Sequence, residues 1–252
     1  MKELAFVLAG VAAGVFSGAL GVGGALLATP LIRFLGVAPY LAIGTTVPVM
    51  LPTTVTGAII YRRAGLLDLR SAAWTAGAAA PATAAGAFTT RHVNGHALML
   101  MTAAILVVLA LRAFASRSGE EGQTEIRRSA ASLVAVGVAA GFFSGLLGVG
   151  GGFILVPVFV RALRFPVKVA LGTSLAVIAL ATVPNIAAQS LVGNIDWKVA
   201  LLLALGVVPG ARAGSLLAIR ASERRLRIAI VVCVLVVGLA YAGVEAAALI
   251  GS

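Results

Sequence analysis

Cysteine, histidine and carboxylates are nearly missing from this chain of 252 residues, which holds one Cys, two His and eight Asp and Glu together. The single thiol, Cys233 in VVCVLVV, excludes a disulfide framework and most thiolate metal sites. An intramembrane enzyme would need a nucleophile and base or a metal cluster. The apolar stretches supply no His or carboxylate pair, only Glu245 near one end, so no catalytic residue is expected. His92 and His96 in RHVNGH stand four apart without Cys or acidic companions, so no metal site is expected either. A dinucleotide fingerprint is missing, because the sixth position of the glycine motif is Leu26 after Gly21 and Gly23, and Phe153 after Gly148 and Gly150. No P-loop lysine follows, so no cofactor is expected.

Charge is scarce as well. Charged residues make up 11% of the chain, hydrophobic ones 61%, and the mean hydropathy is +1.10. That composition lies far outside soluble domains and belongs in a lipid bilayer. A net charge of +11 would suggest nucleic acid in a soluble protein. Here the basic residues flank apolar runs, which points to membrane topology and to no nucleic-acid partner. A signal peptide at Met1 to Leu20 is disfavoured, because the same segment recurs in mid-chain.

What is abundant is a repeat. Gly10 to Gly24, GVAAGVFSGALGVGG, and Gly137 to Gly151, GVAAGFFSGLLGVGG, agree at thirteen of fifteen positions, and both run on to a proline, Pro30 or Pro157. Gly44-Thr45-Thr46 matches Gly172-Thr173-Ser174, Asp68 matches Asp196, and Pro81 matches Pro209, each offset by 128. Two equivalent halves follow: 1–115, a polar cytoplasmic linker 116–128 (SRSGEEGQTEIRR), and 129–252. The expected fold is all-α, a polytopic helical membrane protein of two repeats with about five segments each. In the first half these are Leu4 to Leu20, Gly24 to Leu35, Leu41 to Tyr61, Ser71 to Thr89 and Ala97 to Ala115. In the second they are Ser129 to Leu147, Gly151 to Leu163, Lys168 to Leu191, Trp197 to Ala218 and Leu226 to Leu249.

Each copy opens on glycines spaced by four (Gly10, Gly14, Gly18; Gly137, Gly141, Gly145), a smooth face for close approach of another helix. It closes on GVGG, which reads as a helix break, because each Gly costs about 1 kcal/mol relative to Ala within a helix. The segment after each break is short, about 18 Å of rise against a core of about 30 Å. A re-entrant hairpin, a full hairpin and one broken helix are all open on length alone. Charge placement chooses among them. Arg62, Arg63 and Arg70 follow the third segment of the first half, whereas Arg220, Arg224, Arg225 and Arg227 follow the fourth of the second. With Arg112, Arg117, Arg127, Arg128, Arg161, Arg164 and Lys168 they form a cytoplasmic set of fourteen, leaving Lys2, Arg33, Arg91 and Lys198 outside and Arg212 within the membrane. This partition closes only if each broken pair returns to its starting side, so the halves are inverted and both termini lie outside the cytoplasm. A parallel repeat is the second choice.

Inverted repeats with interrupted helices place a substrate site near the midplane. Irregular backbone at that depth must be buried in protein or line a wet cavity. A helix start there offers free N–H groups and a positive dipole end, so the expected partner besides lipid is a small anion. Candidate contacts are Gly21, Gly23, Gly24, Gly148, Gly150, Gly151 and Gly152, with close packing as the competing role. Ser17 and Ser144 stand beside the breaks, where bonding to their own backbone competes with substrate contact. Thr45, Thr46, Thr173 and Ser174 begin the third segments, where capping competes. Asn185 and Gln189 are the strongest polar residues of their segment, with Thr53 and Thr54 at similar places in the first half. Arg212 is the deep basic residue, for which anion contact and snorkelling both stand. Asp68 and Asp196 are expected to form loop salt bridges in preference to coupling protons.

The doubled glycine motif followed by Pro30 or Pro157, then GTT or GTS, resembles the TauE/SafE family of sulfite exporters and organosulfonate permeases over essentially the whole chain. The resemblance implies a multi-pass inner-membrane secondary transporter for sulfur-containing anions such as sulfite or an organosulfonate. Alternating access is the expected mechanism, and with no ATP motif a substrate gradient or a coupling proton or cation is the expected drive. The alternative is a channel or transporter for another small anion, such as a carboxylate, sulfate or thiosulfate. One departure is internal: the first copy reads GVGGALLATP and the second GVGGGFILVP, so Ala25 stands where the second has Gly152.

Overall fold

Ten α-helices account for nearly all of the residues that the structure, a computed structural model, describes, 2–115 and 129–250. The linker 116–128 lies outside them. In the first half α1 (Lys2–Leu20), α2 (Ala25–Phe34), α3 (Pro39–Arg63), α4 (Leu69–Thr89) and α5 (Gly95–Ala115) follow in order. The second half gives α6 (Ala130–Leu147), α7 (Gly152–Arg161), α8 (Val167–Val192), α9 (Trp197–Arg220) and α10 (Glu223–Ile250). Among the described residues five helices, α1, α3, α6, α8 and α9, are long and apolar enough to cross a bilayer. The protein is therefore a multi-pass helical membrane protein.

The glycines spaced by four set the closest packing. Along α1, a Cβ at Gly10 would strike the Leu203 carbonyl, at Gly14 Val207, and at Gly18 Ala211 and Ser215. Both series ascend, so α1 and α9 run parallel. α9 answers with Gly206, Gly210 and Gly214, which lie against Val7, Val11 and Val15. The second copy meshes in the same way: Gly137, Gly141 and Gly145 of α6 lie on Thr75, Ala79 and Thr83 of α4, again parallel. Each glycine helix thus packs on a helix of the opposite half, and the two halves are interlaced.

Contacts at the helix ends fix the rest. Lys168 Nζ, near the start of α8, donates to the Ile219 carbonyl at the end of α9 (2.7 Å), and Ile219 shares a hollow with Arg63 at the end of α3. At the opposite end, Tyr40 Oη near the start of α3 donates to the Val93 carbonyl beyond α4 (2.9 Å), and Arg91 donates to Leu191 O at the end of α8 (3.1 Å). Equivalent helices α3 and α8 therefore start at opposite ends of the bundle, as do α4 and α9.

Two expectations are corrected by local geometry, the capping of helix starts by four hydroxyl residues and the ion pair of Asp196 with Lys198. Thr45, Thr46, Thr173 and Ser174 do not cap helix starts, because α3 begins at Pro39 and α8 at Val167, which puts them in the second turn. Asp68 and Asp196 cap the helices that follow, α4 and α9. Asp68 accepts from the Ser71 amide, and Asp196 from those of Lys198 and Val199, at 3.0–3.1 Å. The ammonium of Lys198 pairs instead with Glu3, 3.0 Å away on exposed surface.

Candidate functional site

The GVGG sequences break the helices by the same backbone path. Gly21 and Gly23 have φ of +68° and +79°, and Gly148 and Gly150 have +63° and +82°, a left-handed conformation in which an L side chain is strained. Gly21 N–H donates to Ser17 O (2.8 Å) and Gly148 N–H to Ser144 O (2.9 Å), closing α1 and α6. Gly24 and Gly151 then return to right-handed φ and start α2 and α7 with no side-chain cap. The first amides of these half-helices are thus left to backbone, water or solute.

From Gly10 against Leu203, α1 runs toward the end where α9 finishes, and the turn then meets Met50 and Ile178 at mid-length of α3 and α8. α2 runs back until Thr29 meets the Thr46 hydroxyl (3.0 Å), near the start of α3.

Both turns are supported by one stripe on each of α3 and α8. On α8, Leu171, Ser174, Ile178, Thr182, Asn185 and Gln189 follow the 3–4 spacing of a single helix face and are all buried. Leu171 and Ser174 lie on Gly21, Ser174 Oγ donates to the Gly21 carbonyl (2.8 Å), Ile178 touches Gly23, and Gln189 Nε2 donates to the Gly145 carbonyl (3.4 Å). Subtracting 128 gives the α3 stripe: Ile43, Thr46, Met50, Thr54, Gly57 and Tyr61. Ile43 lies on Gly148, Met50 on Gly150, and Tyr61 Oη donates to the Gly18 carbonyl (3.3 Å). The α3 stripe therefore touches the breaks of both halves, Met50 lying at Gly23 as well as Gly150, and the α8 stripe touches the first break and the last turn of α6.

Threonines off or on these stripes satisfy one another's backbone. Thr45 Oγ1 accepts from the Asp196 amide (2.9 Å) and Thr173 Oγ1 from that of Asp68 (3.1 Å), which ties each third helix to the loop of the other half. Thr53, Thr54 and Thr182 donate to the carbonyls four residues back, at 2.6–2.7 Å. Among the described buried side chains, Ser17, Thr75 and Asn185 have polar atoms with no hydrogen-bond partner, and both polar atoms of Asn185 are of this kind. Ser144, the equivalent of Ser17, is buried at 5% exposure.

At the centre the two turns meet. A Cβ at Gly152 would overlap the Gly21 carbonyl and Val22, and one at Gly150 would come within 3.0 Å of Val22 O and 2.8 Å of the Met50 methyl. Val22, Val149, Met50 and Ile178 are at most 3% exposed. The expected cavity between the turns is therefore closed in this conformation, and the glycines there pack against one another. Arg212 is not brought to them. It is exposed and lines a hollow of about 570 Å³ with Thr56, Ile59, Arg63 and Leu216, at the end where α3 and α9 finish.

Two features escaped the reading of the sequence. Tyr61 is the counterpart of Gln189, and Gly57 that of Asn185, whereas Thr53 and Thr54, at the places expected to correspond, lie earlier on α3. The constant offset of 128 carried both pairs. The meshing glycines of α9 have the same spacing of four as those of α1, and that spacing was the signal.

Comparison with known proteins adds the following. Residues 6–241 match the family described as sulfite exporter TauE/SafE. The probable membrane transporter protein YunE of Bacillus subtilis (strain 168) is 26% identical over 238 residues, 84% of this chain and 85% of the relative. A probable membrane transporter protein of Xylella fastidiosa (strain 9a5c) is 32% identical over 220 residues, 82% of each chain. YjnA of Bacillus subtilis, with the same description, is 28% identical over 94% of this chain and 98% of its own. No solved structure matches the chain.

Proposed function

The chain belongs to the sulfite exporter TauE/SafE family of membrane transporters, and from that premise we propose that it moves a small sulfur-containing anion, sulfite or an organosulfonate, through the interface of its two halves by alternating access. The observation that carries the reading is the pair of buried left-handed glycine turns meeting at mid-bundle, each opening a short uncapped half-helix. Backbone so irregular at this depth needs a protein-lined or wet surrounding, and half-helix starts favour negative solutes. The closed centre is one state of the cycle, in which Met50, Ile178, Val22 and Val149 seal the path. Opening separates the turns on one side while the contacts of the other hold.

The inverted arrangement is part of this reading. It is supported by α1 and α6 following α9 and α4, which run in opposite directions. Arg63, Lys168 and Arg220 gather at one end and Arg91 and Lys198 at the other, so the basic end faces the cytoplasm and both termini face outward.

Flux in proteoliposomes tests the proposal, with sulfite, a sulfonate, sulfate, thiosulfate and a carboxylate compared. Saturable uptake of sulfite or the sulfonate that shows counterflow is the expected result. Unsaturable flux without counterflow would mean a channel, and preference for the carboxylate would displace sulfur from the assignment.

A further inference from the structure

Asn185 is the one position at which the two supporting stripes part company in polarity. Its counterpart is Gly57, and the surroundings are exchanged with it. Beside Gly57 stands Ser215 of α9, a residue of the second half, whose Oγ lies 3.3 Å from where a Cβ would be and donates to the Gly18 carbonyl (3.3 Å). The residue equivalent to Ser215 in the first half is Ala87 of α4, which has no hydroxyl, and the amide is carried by α8 instead. The polar group beside Gly57 is thus spent on helix backbone. That of Asn185 is not: Gln189 reaches the Gly145 carbonyl, while Asn185, 0% exposed, leaves both Nδ2 and Oδ1 without a partner among the described residues.

An amide in that condition requires an occupant. Buried polar groups are nearly always bonded, and leaving an amide unmade carries a large penalty. Asn185 stands on α8 between two levels that matter. Ile178, which touches Gly23, lies about 10 Å before it, and Gln189, at Gly145, about 6 Å after it. We propose that Asn185 is the residue that selects the transported solute, binding it by hydrogen bonds from Nδ2 and to Oδ1, and that the two half-sites are therefore unequal. This rests on the transport reading above and specifies the solute further. One amide satisfies both of its ends only on a solute that offers an acceptor oxygen and a donor hydrogen together. The fitting class is a singly charged oxyanion bearing an O–H or N–H group, in preference to a bare anion of the same charge.

The test uses the full-length protein in proteoliposomes, with 2-hydroxyethanesulfonate and ethanesulfonate as probes, equal in charge and different by one hydroxyl. The wild type is expected to favour the hydroxylated probe by about ten-fold or more in KM, the scale of a hydrogen bond to a charged solute. In Asn185→Ala and Asn185→Ser that preference should shrink toward unity, and Asn185→Asp, which sets a like charge against the solute, should abolish uptake of both. Thermal unfolding in detergent supplies the second readout. An unpartnered amide gives up no native bond, so Asn185→Ala should unfold at or above the wild-type temperature, whereas Ser215→Ala, which breaks the bond to Gly18, should unfold lower with the preference intact. An unchanged preference in the Ala and Ser variants would overturn the assignment while leaving transport standing. A clear fall in unfolding temperature for Asn185→Ala would overturn it too, by showing the amide to be a structural bond. Wild-type protein that neither moves either probe nor is stabilised by one against heat would overturn this assignment, and only the absence of sulfite flux as well would end the transport reading.

Discussion

A single glycine in this protein answers to one of three demands, and each gives a different response to substitution. Gly141 has its missing Cβ against the Ala79 backbone, with the Ala79 Cα at 2.7 Å from where that Cβ would be. A valine there cannot be relieved by a side-chain rotation and should cost about 1–3 kcal/mol as overpacking. Gly77 lies on the same pair of helices with open space around its Cβ position. Alanine there should be neutral or stabilise by up to about 1 kcal/mol, the helix-propensity gain. Unfolding temperatures in detergent, lowered for Gly141→Val and unchanged or raised for Gly77→Ala, check the pair. Gly150 combines the third demand, φ of +82°, with Met50 and the Val22 carbonyl within 3.0 Å of a built Cβ. Gly150→Leu forces the central turns apart and should abolish flux while much of the protein stays folded in the membrane, since α6 and α4 mesh independently of it. Wild-type flux in that variant would remove the turn from the transport path.

At the scale of elements, α4 and α9 are started by the same device, an aspartate whose carboxylate accepts from amides of the first turn. Asp68→Ala and Asp196→Ala should each cost about 1 kcal/mol, with Asn restoring most of it, because Asn caps as well as Asp. Rescue by Asn separates capping from an ion pair: a charge-dependent role would leave the Asn variants as unstable as the Ala ones. The sequence did expose the helices themselves. All ten predicted segments correspond to observed ones, since apolar run length, the glycine break and flanking prolines are local signals. It also exposed the partners of the glycine motifs in part, because Ser174, which bonds the Gly21 carbonyl, and Gln189, which bonds that of Gly145, stand out as polar residues of an apolar segment. What it hid depends on three-dimensional register. Whether Thr45 caps its own helix or receives the Asp196 amide from 151 positions away is decided by how α3 lies against the other half. The closure of the centre was hidden for the same reason: GVGG says that the chain turns, and only the packing of Val22 against Gly152 and Gly150 says what the turn meets.

For the molecule as a whole, the interlacing of the halves turns a statement about sequence symmetry into one about sides. α1 belongs to the first half yet lies along α9 of the second, and α6 lies along α4. Because those host helices run oppositely, the basic residues that end α3 and α9, Arg63 and Arg220, come to one end, while Arg91 and Lys198 come to the other. With the positive-inside preference of short loops, Arg63 and Arg225 should both face the cytoplasm although they stand in non-equivalent loops of the two repeats, and Arg91 should face away. Single cysteines at these positions, in a background where Cys233 is replaced by Ala, can be labelled in intact cells and inverted vesicles with a membrane-impermeant maleimide. Labelling of Arg63→Cys and Arg225→Cys only in inverted vesicles, and of Arg91→Cys only in intact cells, is the expected pattern. If Arg63→Cys and Arg225→Cys were instead labelled from opposite sides, the halves would be parallel. The two glycine turns would then enter the bundle from the same leaflet, and alternation of access between them would lose its physical basis.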